Sequence, residues 1–379
     1  MIETQNSRLA EILKICHFGQ KGEIEFDIIE HFRIHCAIKY TDETVRGYVN
    51  KIKEFEKIAI ETGLIESISD FNKTWDYQKY RPILLYFTAV CQDMGNKPQT
   101  VIKKFEALQQ LFLFLKDRDI VSVNPIGEFR DANLKFYKIH EEERQAVPIE
   151  KIEEIITDGS VQTKHWRTDE ICPFKTHLIR TCYLVLAKDL LRSGEFCALN
   201  IGNFYLQDKY FVTGSHAKVS GKRRPLDDQT IWHLRVYWWI REHIYGEELT
   251  PESPAFLGLR YKSRMHKKTL LKKTKESASM IGIHEEGAPL HRRFTPHNFR
   301  HSGTTILADT EIKETYIVEI RGDVHLLAMD RYHHISTEKL IAEYLKHMPT
   351  FRIGESPADV YYMKAIDEAM KKEKGLYSQ

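Results

Sequence analysis

Apolar residues recur at helical spacing through the first third of the chain. Between residues 45 and 59 they fall every three or four positions with Lys and Glu between them, and Gly63 follows as a stop signal. A broad apolar stripe after Pro98 ends before Asn124 and Pro125. Because this spacing places apolar side chains on one helix face, it predicts helices that pack into a core. The predicted helices cover residues 9–16, 28–36, 45–59, 82–91 and 101–115.

The apolar pattern lapses between residues 129 and 144, where acidic and basic side chains crowd together. Such a stretch is typical of an exposed connector, so we place a domain boundary there. Beyond it, two short β-like runs cover residues 201–206 and 209–213. Further helices are predicted at residues 148–156, 184–191, 231–243 and 359–374.

These elements predict a mainly α fold with a small antiparallel β-sheet in the C-terminal domain. The apolar run at residues 184–191 is buried on all sides in this prediction. The predicted segments are an N-terminal helical extension over 1–40, a helical domain over 41–140, a larger domain over 141–348 and a tail helix within 349–379.

Composition narrows the class of protein. The 379 residues suffice for two to three domains at roughly 150 residues each. No apolar run reaches the ~18 residues of a membrane span, so we expect a soluble intracellular protein without a membrane partner. The six cysteines contain no C-x-x-C pair, which favours reduced thiols. Cys172, His177 and Cys182 lack a second pair of ligands, so we predict no metal.

Positive charge is concentrated in one part of the chain. The chain carries 56 Lys and Arg against 54 Asp and Glu, a net charge of only +2. Residues 260–275 nevertheless contain eight basic side chains and no acidic one. A solvated helix face would explain this run alone, but basic groups at 218–224 and 292–300 flank it, which favours a phosphate backbone as the partner. The candidate DNA contacts are Lys222, Arg223, Arg224, Lys267, Lys268, Lys272, Lys273, Arg292 and Arg293.

A second group of residues indicates phosphate chemistry. On a helix, His297, Arg300 and His301 lie at positions i, i+3 and i+4, and therefore on one face. Alone this is a weak signal, because surface helices often carry such residues. Upstream, Arg192 stands three residues before Glu195 at the end of the apolar run 184–191, and downstream Arg321-Gly322-Asp323 precedes Tyr332.

In this order, the motifs resemble those of the tyrosine recombinases of the phage integrase family. The family's first arginine motif matches residues 190–199, and its His-x-x-Arg-His box matches residues 297–301. In the family, ten residues separate a glycine from the nucleophilic tyrosine, and Gly322 and Tyr332 keep that spacing. The resemblance covers roughly residues 40–348.

The family's lysine in a β-hairpin turn matches Lys218, which precedes Arg223-Arg224-Pro225-Leu226. The turn is one residue shorter than usual, so Lys222 remains the alternative. In the first domain, the sequence 44–48 and Asn124-Pro125 are similar to the family's helical core-binding domain. The implied architecture is this core-binding domain followed by an integrase-type catalytic domain.

The resemblance implies a site-specific DNA recombinase that cleaves and rejoins double-stranded DNA through a 3′-phosphotyrosyl intermediate. It implies no cofactor and a tetramer acting on two paired DNA sites in the cytoplasm, at the nucleoid. Arg192 and Arg300 would clamp the phosphate, and Tyr332 would be the nucleophile. The remaining implied catalytic residues are His297 and His301 for the tyrosine proton, Lys218 for the leaving oxygen, and Glu195 beside Arg192.

Asp323 departs from the family pattern, which has His or Trp at this position. We interpret Asp323 as a carboxylate that orients Arg or Lys, with His325 as the alternative donor. Two other functions stay open: a strand transferase that relaxes DNA or forms hairpins without exchange, as type IB topoisomerases do in relaxing DNA, and a DNA-binding relative without activity. The sequence leaves open the DNA site, the choice among integration, excision and dimer resolution, and the role of residues 1–40.

Overall fold

A computed structural model describes residues 27–134, 146–162, 173–214, 221–258, 263–323 and 335–353. The chain divides into two units, Met1–Glu141 and Glu142–Gln379. The predicted helices at 9–16 and 359–374 lie outside the described residues, as do Lys218, His325 and Tyr332. The prediction of a mainly helical fold with a small antiparallel sheet is confirmed.

The first unit is helical throughout its described secondary structure, as the apolar pattern predicts. Its core is built from the apolar faces of the helices, with Phe55 packed edge-on against Phe87 at 5.1 Å between ring centres. Thr41 caps the second helix by accepting a hydrogen bond from the backbone of Thr44. The helices are α1 (Ile28–Lys39), α2 (Asp42–Ile60), α3 (Tyr77–Asp93), α4 (Pro98–Asp117) and α5 (Ile126–Asn133).

Two details of this unit differ from the sequence prediction. Helix α3 begins five residues before Pro82, because Asp76 accepts a hydrogen bond from the backbone of Lys79 and caps the helix earlier. The prediction of a connector from residue 129 is wrong for residues 129–133, which belong to α5. Phe129 is fully buried and stacks on Phe105 at 5.3 Å, so one aromatic side chain anchors a segment that is otherwise polar.

The second unit is built around one buried helix, α7 (Pro173–Lys188). Three helices pack against it: α6 (Ile149–Thr157), α9 (Asp228–Trp239) and α11 (Pro296–Ala308). Gly303 permits the close contact between α11 and α7, since a Cβ atom there would lie 2.0 Å from the Ala187 carbonyl oxygen. Further helices of this unit are α8 (Ser193–Ala198), α10 (Lys267–Met280), α12 (Glu314–Arg321) and α13 (Thr337–His347).

The sheet of this unit has three short antiparallel strands in the order β1-β2-β3. They are β1 (Phe204–Tyr205), β2 (Tyr210–Val212) and β3 (Arg223–Pro225). The strand predicted at 201–206 is only partly formed, because Ile201–Asn203 makes a 3₁₀ turn in which the Asn203 side chain accepts from the backbone of Asn200. The register pairs Phe211 with Arg224.

Helix α7 ends at Lys188, although the apolar run that predicted it continues to residue 191. Leu190 adopts a left-handed backbone conformation with φ of 51° and is fully buried. This conformation is costly for a leucine and persists only where the surroundings impose it. The turn carries the chain from α7 to Arg192, the residue that caps α8.

Among the described residues, no helix has both the length and the apolar character needed to cross a bilayer.

The stability of the second unit should fall as the pH drops, because two neutral histidines stack in its core. His177 and His233 lie 5.1 Å apart between ring centres. Burial lowers the pKa of His177 to about 3 and that of His233 well below its ordinary value. The unfolded chain binds both protons near pH 6.5, whereas the folded unit does not. Below that pH, the free energy of unfolding should decrease by up to about 1.4 kcal/mol per pH unit for each histidine.

Urea unfolding between pH 7 and pH 4, followed through the tryptophans of α9, measures this slope. The Nε2 atom of His177 is bonded to the His233 carbonyl at 3.2 Å, and His177→Gln keeps a donor for that carbonyl. This variant should reduce the slope by the contribution of about one bound proton. His243→Gln is the control, because His243 is exposed. An unchanged slope in His177→Gln would contradict the assignment.

Candidate active site

The first arginine of the site is held by the turn that follows α7. Arg192 precedes α8, and its backbone nitrogen donates to Oε2 of Glu195 at 3.0 Å. Its guanidinium also contacts Glu195, with 2.8 Å between Nη1 and Oε1. The local spacing of three residues therefore fixes both the backbone and the side chain of Arg192, while 31% of that side chain stays exposed.

The second arginine, Arg300, projects from α11 into the interior and is only 2% exposed. Its Nη1 atom donates to two backbone carbonyls, those of Leu190 and Arg321. Burial lowers the pKa of Arg300 to about 10, which leaves the guanidinium charged at neutral pH. The left-handed turn at Leu190 thus has a function, because it aims a carbonyl oxygen at this charge.

Asp323 joins the two arginines. Its Oδ1 atom accepts from Nη2 of Arg192 and, at 2.9 Å, from Nη2 of Arg300. Its Oδ2 atom lies 2.8 Å from Nε of Arg321. Burial alone would raise the pKa of Asp323, but the charges of Arg300, Arg321 and Arg192 outweigh it and lower the pKa. Asp323 is therefore an ionised carboxylate in contact with three arginines.

Two histidines of α11 border a small cavity of about 100 Å³ beside this cluster. His301 lies one turn after His297, so both face the same side of the helix. The Nδ1 atom of His301 is buried and has no hydrogen-bond partner among the described residues. The cavity is lined by His297, Arg300, His301, Thr304, Thr305 and Arg321.

Arg224 was expected to contact DNA, and its location in the structure contradicts this. Its side chain is 1% exposed and donates to Oε2 of Glu195 at 3.1 Å. A residue buried in this way has no access to a phosphate backbone, so we assign it to holding Glu195. Burial would raise the pKa of Glu195, but Arg224 and Arg192 keep it below its ordinary range.

Gly322 makes room for Arg224. It ends α12 in the left-handed conformation, with φ of 61°, and a Cβ atom there would lie 2.4 Å from Nη2 of Arg224. The glycine that sets the spacing to Tyr332 in the sequence is therefore required for two physical reasons, its backbone conformation and the close approach of a buried guanidinium.

Most other predicted DNA contacts lie on the surface of the second unit. Lys267, Lys268 and Lys272 are exposed on α10. Glu276 pairs with Lys273 at 2.9 Å and lies 3.9 Å from the Nζ atom of Lys272. Arg292 pairs with Glu285 at 3.1 Å, Arg293 donates to the Gly287 carbonyl at 3.0 Å, and the Arg223 guanidinium lies over the ring of Tyr210 at 5.2 Å.

Lys222, the alternative for the hairpin lysine, forms an ion pair of 2.7 Å with Glu319 on α12. Sequence reasoning missed Glu319 and gave no role to Arg321, although Arg321 stands beside Gly322 and Asp323 in the chain. A charged residue next to a motif glycine was the only available signal. The ion pair of Glu319 with Lys222 and that of Arg321 with Asp323 both depend on how α12 packs.

No family model matches the chain. In sequence the chain is similar to tyrosine recombinase XerC of Listeria innocua serovar 6a, with 23% identity over 342 residues that cover 87% of this chain and 99% of the relative. A lambda integrase dimer bound to a COC′ core site shares the fold, with a TM-score of 0.52, 14% identity and coverage of 82% and 97%. The Tn1549 transposon integrase in complex with transposon right end DNA gives a TM-score of 0.53 at 15% identity, with coverage of 85% and 99%.

The fold is thus that of the core-binding and catalytic domains of integrases. In sequence and in fold the chain is therefore similar to tyrosine recombinases and integrases, which supports an enzyme that cleaves and rejoins DNA strands.

The close approach of Arg224 to Gly322 should make the free energy of unfolding sensitive to substitution of Gly322. Gly322→Ala introduces both a left-handed alanine, at about 1–2 kcal/mol, and a clash with Arg224. Gly282→Ala is the matched control, because Gly282 has φ of 74° and nothing within 4 Å of a Cβ atom. We expect Gly322→Ala to lower the free energy of unfolding by about 1–3 kcal/mol more than Gly282→Ala.

In an Arg224→Lys background, which lacks the Nη2 atom, this additional loss should disappear. Urea unfolding of the four variants checks both statements. Equal losses for the two glycines would mean that Arg224 places no constraint on position 322.

Proposed function

We propose that this protein is a site-specific DNA recombinase that works through a 3′-phosphotyrosyl intermediate, with Arg192 and Arg300 as the phosphate clamp. One observation carries the proposal: these arginines come from separate parts of the chain and both donate to a single anionic oxygen, Oδ1 of Asp323. A site that binds one oxygen of a carboxylate in this way has the charge and the donors to bind a non-bridging oxygen of a phosphodiester.

Cleavage of a phosphodiester adds negative charge to its non-bridging oxygens in the transition state. Fixed cations aimed at these oxygens stabilise that state more than the ground state. Arg300 is suited to this task, because burial and two backbone carbonyls fix its orientation before DNA arrives. Glu195 does the same for Arg192, so little reorganisation is needed when the substrate binds.

Tyr332 supplies the nucleophile in this proposal. Its phenolic oxygen attacks phosphorus, the bond from phosphorus to the 5′ oxygen breaks, and the DNA 3′ phosphate becomes esterified to the tyrosine. A phenol has a pKa near 10, so its proton must be accepted, and His297 or His301 is the acceptor. Lys218 donates the proton that converts the departing 5′ oxygen into a hydroxyl. Attack by a 5′ hydroxyl reverses the step and rejoins DNA.

Exchange requires that this hydroxyl come from a second DNA duplex. We therefore propose a tetramer on two paired sites, acting at the nucleoid where its DNA partner lies. The DNA-bound lambda and Tn1549 integrases of the same fold support a double-stranded partner. The exposed lysines of α10 would contact its phosphates.

The salt dependence of DNA binding should identify these lysines. Replacing Lys268 and Lys272 by Gln should reduce the magnitude of the slope of log K against log salt by about 1.8, if each lysine contacts one phosphate. Lys209→Gln with Lys275→Gln removes the same charge from side chains paired with Asp228 and Glu286, and should change the slope little. Fluorescence anisotropy with duplex DNA at several salt concentrations gives the slope. Equal slopes for the two double variants would reject α10 as the contact surface.

The covalent step can be tested directly. The full chain, incubated in EDTA with nicked duplexes that cover the DNA flanking its gene, should form an adduct that survives denaturant. Tyr332→Phe should form none, because it lacks the nucleophilic oxygen. Tyr316→Phe is the control, since Tyr316 is buried in α12 and should leave the adduct unchanged.

An adduct lost in Tyr316→Phe and kept in Tyr332→Phe would overturn the assignment of the nucleophile. Relaxation of supercoiled DNA without exchange between paired sites would replace recombination by a topoisomerase-like function. Salt-sensitive binding without any adduct on a genomic DNA library would indicate an inactive DNA-binding relative.

A further inference from the structure

We infer that the Asp323 carboxylate occupies the binding site of the scissile phosphate when DNA is absent, and that the phosphate must displace it to reach Arg192 and Arg300. This inference rests on the proposed function, because it takes the two arginines as the phosphate clamp. It adds a competition between a side chain of this protein and its own substrate.

The contacts of Asp323 match those of a bound phosphodiester. A phosphodiester is a monoanion with two non-bridging oxygens, and an aspartate carboxylate is a monoanion with two oxygens of similar hydrogen-bonding capacity. Oδ1 takes a donor from each arginine, Arg192 and Arg300. The donors that the phosphate needs are therefore already used by the protein.

The arginines cannot easily move to meet a phosphate elsewhere. Arg300 is buried and bonded to the carbonyls of Leu190 and Arg321, and Arg192 is bonded to Glu195. Asp323, in contrast, has a side chain that is 25% exposed. A phosphate placed beside the carboxylate would experience like-charge repulsion, so one anion must leave, and Asp323 is the one at the surface.

The structure also provides a place for the displaced carboxylate. Oδ2 of Asp323 lies 2.8 Å from Nε of Arg321, whose side chain is not part of the clamp. The backbone of Asp323 is held independently, because its nitrogen donates to the Val318 carbonyl at 3.1 Å. The side chain can therefore turn away from Arg192 and Arg300 while it keeps its pairing with Arg321.

A second carboxylate, from α12, also pairs with a cation of the candidate site. Glu319 pairs with Lys222 at 2.7 Å, beside the β3 strand. The two carboxylates Glu319 and Asp323 thus pair with three cations of the candidate site, which are Lys222, Arg192 and Arg300. Without DNA, the cations of the site are therefore paired with carboxylates of the protein itself.

Binding of inorganic phosphate to the DNA-free full chain tests the competition. Asp323→Asn keeps the shape and one acceptor but removes the charge, so it should bind phosphate at least about tenfold more tightly than the unaltered chain. Asp309→Asn removes the same charge from an exposed position at the end of α11 and should leave the affinity unchanged. Isothermal titration at constant ionic strength measures all three. Equal affinity for Asp323→Asn and the unaltered chain would overturn the inference.

If circular dichroism shows that Asp323→Asn is unfolded, Asp323→His replaces it, with the same expectation and the same overturning result. Adduct formation with nicked DNA separates this inference from the proposed function. Adducts with no gain in phosphate affinity would leave the function standing and reject the competition. A gain in phosphate affinity with no adduct in any variant would show that Asp323 occupies a site that binds phosphate. The same result would reject strand cleavage.

Discussion

The buried charge of Arg300 is the constraint on which the second unit depends. A guanidinium that is 2% exposed has lost its hydration and must be compensated by acceptors inside the protein. The acceptors come from three places: the carbonyl of Leu190, the carbonyl of Arg321 and the carboxylate of Asp323. Removal of the partner of a buried charge typically costs about 3–5 kcal/mol. The end of α7, the middle of α11 and the end of α12 are therefore held in one arrangement by a single side chain.

This constraint explains the irregular backbone nearby. Leu190 takes a left-handed conformation that is unfavourable for leucine, and the carbonyl of that residue is the one directed at Arg300. Gly322 takes the same conformation one residue after Arg321, whose carbonyl is the other acceptor. Both chain reversals thus present an oxygen to the same charge. The backbone strain of Leu190 therefore lies where the site is assembled, whereas Gly322 adopts its conformation without a steric cost.

The sequence predicted those parts of the protein that depend on local spacing. Helices α2, α4 and α6 follow from apolar periodicity, and the pair of Arg192 and Glu195 follows from a separation of three residues. The burial of Arg224 was not predictable in this way. Its basic neighbours suggest an exposed group, and only the packing of β3 against the end of α12 turns it inward. Phe129 was missed for a related reason, because one buried ring among charged residues leaves no periodic signal.

The two carboxylates of the site differ in how firmly they are held, and this difference has a consequence for catalysis. Glu195 is 2% exposed, and its oxygens are bonded to the backbone and side chain of Arg192 and to Arg224. Asp323 lies at the edge with a quarter of its side chain exposed. When a phosphate replaces Asp323, Arg192 still has Glu195, and Arg300 still has two carbonyls. The anion can therefore be exchanged while the cations stay in place, which is the condition for electrostatic stabilisation without reorganisation of the site.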